Sequence, residues 1–334
     1  MLRYNRRCFN LSLASASTVG FLGIGRTHAF ELEPETSTIK LKKSVAICFA
    51  PYYILTAFLR AEGFDEVLYV DAPHSAVSSK MIDDGDLHFD LDFAGRLVHD
   101  LDNGRKITAI GGVHVGCYEL FANDPIRTIS DLKGRRIAIN ELHLGEHLYI
   151  SIMAAYVGLD PKRDIEWITQ GDDSPMEIFA SGKADAFLGF PPEPQILREM
   201  GHKRVILNTV LDHPWSQYFC CVLYGSQNWI REHPVATKRF LRAMYKAAEF
   251  CTANPQGAAQ ELVDGGYADR YDYALETIKT IPYDLWHDYS ADDTMRFYAL
   301  RLHDAGMLTN PPNKLIQAGA DWTYLDELRQ ELKG

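Results

Sequence analysis

Ser130-Asp131-Leu132-Lys133-Gly134-Arg135-Arg136-Ile137-Ala138-Ile139 reads as one short helical turn closed by glycine and feeding a β-strand. It restarts an alternation of strands and helices. Downstream come a helix from about 145, a strand at 164–169, a helix around 175–181, a strand at 184–190, a helix at 193–200 and a strand at 204–207. Upstream, residues 44–49 read as a strand, and Pro51 opens a helix running to about 62. A strand at 66–71 and a helix to about 84 follow. Residues 87–93 then alternate, with Phe89, Leu91 and Phe93 on one side and His88, Asp90 and Asp92 on the other. A helix to 100 and a strand at 106–111 complete this earlier block. After a last apolar strand at 218–224, residues 234–253, 256–266, 270–281, 291–306 and 321–333 read as helices. In the first of these, Ala236, Phe240, Met244, Ala248 and Cys251 form one stripe.

Strands alternating with helices imply α/β lobes built on parallel sheets. Two such blocks with a helical tail have one economical solution: the tail returns to cover the first block, and the second is an insertion. Residues 40–117 plus 222–334 then form lobe 1, residues 118–221 form lobe 2, and two crossover strands near 117–122 and 219–224 join them around a cleft. Ligands in such sheets bind beyond the carboxyl ends of strands. That rule selects Tyr52, Tyr53, Asp92, Phe93, His114 and Tyr118 from lobe 1. From lobe 2 it selects Gly145, Glu146, His147, Phe190, Pro191 and Glu193, with Trp215 and Tyr218 bordering the return crossing. Aromatic rings dominate the set, which favours a planar aromatic or heterocyclic solute. Tyr52 and Tyr53 are successive helical positions, so one belongs to the core. Phe93 also fits core packing, and Trp215 also fits a surface anchor. Asp185 suits a turn-holding role, and Gly111-Gly112 suits close backbone approach at the cleft.

The amino terminus resembles an export signal: Arg6-Arg7-Cys8-Phe9-Asn10-Leu11, a soft apolar stretch, then Thr27-His28-Ala29. The adjacent arginines resemble the twin-arginine motif for folded export, placing the mature protein in the periplasm after removal of residues 1–29. The leader carries four arginines and no acid, so its loss takes the net charge from −11 to −15. That charge argues against nucleic-acid and membrane-surface partners. Five cysteines remain (Cys48, Cys117, Cys220, Cys221, Cys251), with no CxxC pair, and most sit in apolar surroundings. A Cys48–Cys117 bridge is open if their strands are neighbours.

Ile129 to Ala138, then Ser181-Gly182-Lys183-Ala184-Asp185-Ala186-Phe187 with Pro191-Pro192, then His233-Pro234-Val235-Ala236 running to Phe240-Leu241, with Asn254-Pro255 behind, resemble in order the periplasmic solute-binding proteins of ABC importers. The nearest branch is the SsuA/THI5-like (NMT1-like) group, over roughly residues 40–260. The resemblance implies a type II periplasmic binding protein: two lobes closing on a small molecule and presenting it to an inner-membrane ABC permease and its ATPase. It implies a monomer with no cofactor and no catalytic residues. Leu144-Gly145-Glu146-His147 departs from the pattern. Relatives carry a small or hydroxyl residue where an anionic head group meets this helix, and a glutamate there favours a ligand with N–H donors. Two enzyme readings compete. His143, Glu146 and His147 match the HxxEH spacing of zinc hydrolases. Tyr218-Phe219-Cys220-Cys221 resembles part of the cysteine motif of eukaryotic thiamine-pyrimidine synthases.

Overall fold

The first strand, β1 (Thr38–Lys43), lies ahead of the apolar run expected to form it. Its inward Ile39 and Leu41 alternate with lysines, which hide the period in a hydropathy reading, yet Lys42 is itself buried. Residues 47–49 form a 3-10 turn rather than a strand. Pro51 then sits in the first turn of α1 (Ala50–Tyr53), and α2 (Leu55–Ala61) resumes after Ile54. This computed structural model describes residues 32–43, 46–72, 77–169, 173–202 and 204–331; the expected leader lies outside the described residues.

β2 (Glu66–Asp71), α3 (Ser78–Asp83), β3 (Phe89–Phe93), α4 (Ala94–Asp102) and β4 (Ile107–Val115) complete the first block. The second holds β5 (Glu119–Ala122), β6 (Arg135–Ala138), α5 (Gly145–Tyr156), β7 (Ile165–Ile168), α6 (Pro175–Ala180), β8 (Ala186–Gly189), α7 (Glu193–Glu199) and β9 (Val205–Asn208). β10 (Phe219–Ser226) leads into α8 (Gln227–Glu232), α9 (Pro234–Ala253), α10 (Pro255–Asp264), α11 (Tyr271–Thr280), α12 (Ala291–Asp304), α13 (Pro312–Gly319) and α14 (Thr323–Glu331). The short α8 and α13 fall where the pattern suggests no helix. The stripe on α9 is buried as expected, and the Glu35 carboxylate accepts from the Val235 and Ala236 amides at its start, at 3.0 and 2.8 Å.

The described strands form two five-stranded sheets, ordered β2-β1-β3-β10-β4 and β7-β6-β8-β5-β9, one in each of two α/β lobes. Neither is purely parallel, which corrects the expectation from alternation. β10 runs antiparallel to β3 and β4, and β5 antiparallel to β8 and β9, because each enters its sheet from the other lobe.

The chain passes between the sheets through residues 116–118 and returns through 209–218. The two passages are tied together. The buried Thr209 hydroxyl accepts from the Cys117 and Tyr118 amides at 3.1 and 2.9 Å and donates to the Tyr118 carbonyl at 3.0 Å. Gly116 adopts φ +55°, and a Cβ there would lie 2.5 Å from the Val210 nitrogen, so only glycine lets the passages touch. Gly111 and Gly112 serve packing instead of the expected ligand approach. A Cβ on Gly111 would meet the Tyr245 hydroxyl at 2.1 Å, and one on Gly112 the Phe219 ring at 2.2 Å.

Candidate functional site

A cavity of about 140 Å³ lies between the lobes. β3 and the start of α4 supply Asp90, Asp92, Phe93 and Arg96; β1 and α3 supply Lys42 and Ser78. The other lobe supplies Tyr118, Gly145, Glu146 and Phe190, and Cys48, Phe49, Cys117 and Cys221 complete the wall. Period-two geometry explains the acids. On β3 Asp90, which alternates with Phe89 and Leu91, is buried beside Ser78 and Lys42.

Lys42 Nζ donates to Ser78 Oγ at 3.2 Å. Asp90 is only 3% exposed, and its Oδ1 has no hydrogen-bond partner among the described residues. Burial pushes its carboxyl up to about 6, against the pull of Ser78 and Lys42. Asp92 is also raised by burial, with Arg96 opposing, and its Oδ1 accepts from the Phe93 amide at 2.7 Å. Glu146 is raised by burial and by Asp92. Arg96 is committed to Asp100 at 3.0 Å, and both carboxylates hold its charge against burial. Asp92 precedes α4 and Glu146 sits in the first turn of α5. The N-termini of α4 and α5 are therefore already faced by carboxylates of the chain itself.

Of the residues expected at the cleft, Asp92, Phe93, Tyr118, Gly145, Glu146 and Phe190 are brought together on this cavity. Phe93 does both jobs weighed for it: it lines the cavity and stacks on Tyr149 of α5, with centroids 4.4 Å apart. The others lie elsewhere. Tyr52 is fully buried; its hydroxyl accepts from the Lys42 amide at 3.0 Å and so fastens β1. Tyr53 stacks on Tyr267 at 4.3 Å, so both tyrosines belong to the core. His114 is buried beneath the cavity floor, its Nδ1 2.9 Å from the Gly116 carbonyl. His147 Nδ1 accepts from the His143 amide at 3.0 Å, and its ring meets Trp167 at 4.6 Å. Glu146 faces the cavity while His147 faces Trp167, because one residue along a helix turns the side chain by about 100°; the HxxEH reading therefore finds no common centre. Pro191 lines a separate small cleft with Glu119 and Arg198. Glu193 accepts from the Phe190 amide at 3.1 Å and holds that ring's loop. Trp215 is buried against Tyr149 and Tyr156, and Tyr218 stacks on Phe297 at 4.0 Å. Asp185 is structural, but its carboxylate accepts from the Arg136 amide of β6 at 2.9 Å instead of holding its own turn.

Lys42, Ser78, Asp90, Arg96 and the three cysteines escape the strand-end rule. Asp90 and Lys42 carried a signal, as charged residues alternating with apolar ones inside a strand. All five described cysteines are free thiols, so no Cys48–Cys117 bridge forms.

Among curated proteins, a binding protein of Brucella abortus is 27% identical over 173 residues, 52% of this chain and 53% of that protein. The chain thus matches about half the length of its curated relatives. The periplasmic nitrate-binding protein NrtA from Synechocystis PCC 6803 superposes with TM-score 0.71 at 14% identity, covering 90% of each chain. The alkanesulfonate-binding protein SsuA from Xanthomonas axonopodis pv. citri, bound to MOPS, gives 0.68 at 16%, covering 84% of this chain and 98% of that one. These likenesses show the periplasmic binding protein fold. The profile described as NMT1/THI5 like matches residues 55–258, and the chain belongs to that family.

Proposed function

We propose that this chain is the periplasmic solute-binding subunit of an ABC importer and that it captures a small planar solute bearing N–H donors. Lobe 1 (40–117 plus 222–334) and lobe 2 (118–221) would close by hinging at the two passages, so that binding shifts the population towards the closed form. The monomer would then dock an inner-membrane permease coupled to its ATPase. The leader at 1–29 would take it to the periplasm by the twin-arginine route. The solved proteins of this fold are named as nitrate and alkanesulfonate binders, which supports solute capture in the gap between lobes. No helix among the described residues is long and apolar enough to cross a membrane.

One observation carries the ligand class: the buried carboxylate of Asp90, a residue in the wall of a cavity shared by both lobes, whose Oδ1 has no hydrogen-bond partner among the described residues. An acceptor left dry and unpaired costs about 1–3 kcal/mol, and a ligand N–H removes that cost. Three carboxylates against two committed cations argue the same way. Phe49, Phe93, Tyr118 and Phe190 supply rings for stacking. Size sets the bound. An engineered cavity of about 150 Å³ takes benzene, so the 140 Å³ here admits one ring rather than two.

The test is mass spectrometry of small molecules released from gently purified protein, followed by a thermal-shift panel of pyrimidines, aromatic amines, aromatic acids and sulfonates. Single-ring N–H compounds should raise the melting temperature in proportion to the logarithm of concentration over Kd. A response confined to sulfonates would overturn the ligand class, and no response to any solute would overturn solute capture.

A further inference from the structure

We infer that Cys48, His114 and Cys117, with the β10 thiols of Cys220 and Cys221 beside Cys117, form a site for one thiophilic divalent ion of the zinc class, set in the floor of the inter-lobe cavity. The donor atoms of Cys48, His114 and Cys117 all lie within 4.8 Å of one another, as do those of Cys117, Cys220 and Cys221. Cys117 joins the two sets. Its sulfur is 3.6 Å from that of Cys220, and a tetrahedral zinc with bonds of about 2.3 Å holds its sulfurs about 3.8 Å apart.

Four separate stretches of chain meet here. Cys48 comes from the turn before α1, His114 from β4, Cys117 from the first passage and Cys221 from β10. A strand irregularity helps to bring the thiols together. Phe219 pairs with Val115, yet Cys221 pairs with His114, so β10 has one residue too many at Cys220. In a regular strand Cys220 and Cys221 would point to opposite faces; the bulge re-aims them, and both reach Cys117.

His114 supplies the independent sign of a ligand. The Gly116 carbonyl can only accept, so Nδ1 carries the proton and Nε2 presents its lone pair. Nε2 has no hydrogen-bond partner among the described residues and looks onto the Cys48 and Cys221 thiols from a fully buried ring. An imidazole oriented by a backbone carbonyl through its other nitrogen is the usual support for a histidine ligand. Soft sulfur with one imidazole selects zinc-class ions over magnesium or calcium. Cys48, Cys117 and Cys221 line the cavity, which gives the ion a way in. On binding, the ligating thiols release their protons to solvent. Held through Cys117, which both sets share, the ion would lock the first passage to β10 beside the solute cavity.

The inference stands apart from the transport reading, because it is read by metal content and spectrum. Full-length protein, reduced and freed of metal with a chelator, is titrated with Zn²⁺ against a chromogenic competitor and separately with Co²⁺. One ion per chain is expected, with the visible bands and sulfur-to-cobalt charge transfer of a tetrahedral thiolate site. Cys117→Ser and His114→Gln should each weaken Zn²⁺ by more than the ~100-fold typical of losing a supporting group. Cys251→Ser, remote from the cluster, should leave affinity unchanged. Substoichiometric binding by the parent protein overturns the inference, as does an ion retained at full affinity in Cys117→Ser. A Cys117–Cys220 disulfide in protein isolated without reductant overturns it as well. The parent protein's stoichiometry and cobalt spectrum decide the matter even if a variant does not fold.

Discussion

Replacing Asp90 by asparagine should stabilise the unliganded protein and weaken its hold on an N–H-bearing solute. Burial raises this carboxyl to about 6 although Ser78 and Lys42 favour its ionised form, whereas an unfolded chain titrates near 3.9. The gap of about two pK units corresponds to about 3 kcal/mol. The sign follows from proton binding. The folded state keeps this proton to higher pH than the unfolded state does, so the carboxyl costs nothing below about pH 4, and its destabilising contribution grows as pH rises to about 6 and stays at its full size above. Asparagine has the shape of the protonated acid and cannot ionise. The variant and the parent should therefore match near pH 4, and the variant should be about 3 kcal/mol more stable above pH 6. At about 2.1 cal/mol/K per residue over roughly 300 residues, that is about 5 °C in melting temperature. The solute should show the opposite effect, because losing a charge-assisted hydrogen bond costs about 1.5–3 kcal/mol, or ~10–150-fold in Kd. Melting curves from pH 4 to 8, with and without a solute found by the thermal-shift panel, read both quantities. A variant no more stable than the parent at pH 8, or one that answers the solute at the parent's affinity, would refute the placement of Asp90 as a dry acceptor.

Gly112→Ala puts a methyl 2.2–2.4 Å from the buried Phe219 ring. It should cost about 1–3 kcal/mol, and Phe219→Ala in the same chain should relieve part of that cost, seen as non-additivity in a double-mutant cycle. Glu62→Gln should cost about 3–5 kcal/mol at neutral pH, because the buried carboxylate accepts from Arg242 Nε at 2.9 and 3.0 Å and from Lys246 Nζ at 2.8 Å. Burial works against ionised Glu62, but Arg242 and Lys246 outweigh it and lower its pKa. Its stabilisation is thus present above about pH 4.3 and fades as pH falls below, so acid denaturant titrations should bring variant and parent together. Thr209→Ala leaves the buried Cys117 and Tyr118 amides without their acceptor. It should cost about 1–3 kcal/mol per amide, with faster hydrogen exchange at those two positions than in the sheets.

Local pattern carried most of the architecture. Periodicity, Pro and Gly punctuation and the order of elements were enough for two α/β lobes and the α9 stripe, because these depend on neighbours within a few residues. β1 escaped because its lysines sit where a half-buried strand would show polar residues, and Lys42 proves buried only once Ser78 and Asp90 are packed beside it. The strand-end rule selected Asp92, Phe93, Tyr118, Gly145, Glu146 and Phe190, which share one cavity wall, since position along a strand or helix is a local property. Tyr52, Tyr53, His114, His147, Pro191, Glu193, Trp215 and Tyr218 lie off this cavity, because which face of a helix or loop meets a partner depends on residues distant in the chain, such as Tyr267 for Tyr53 and Phe297 for Tyr218. The antiparallel direction of β5 and β10, the bulge at Cys220 and the meeting of Cys48 and His114, and of Cys220 and Cys221, with Cys117 arise only when the chain has crossed between sheets twice. Long-range closure sets those distances, and no spacing along the chain encodes them.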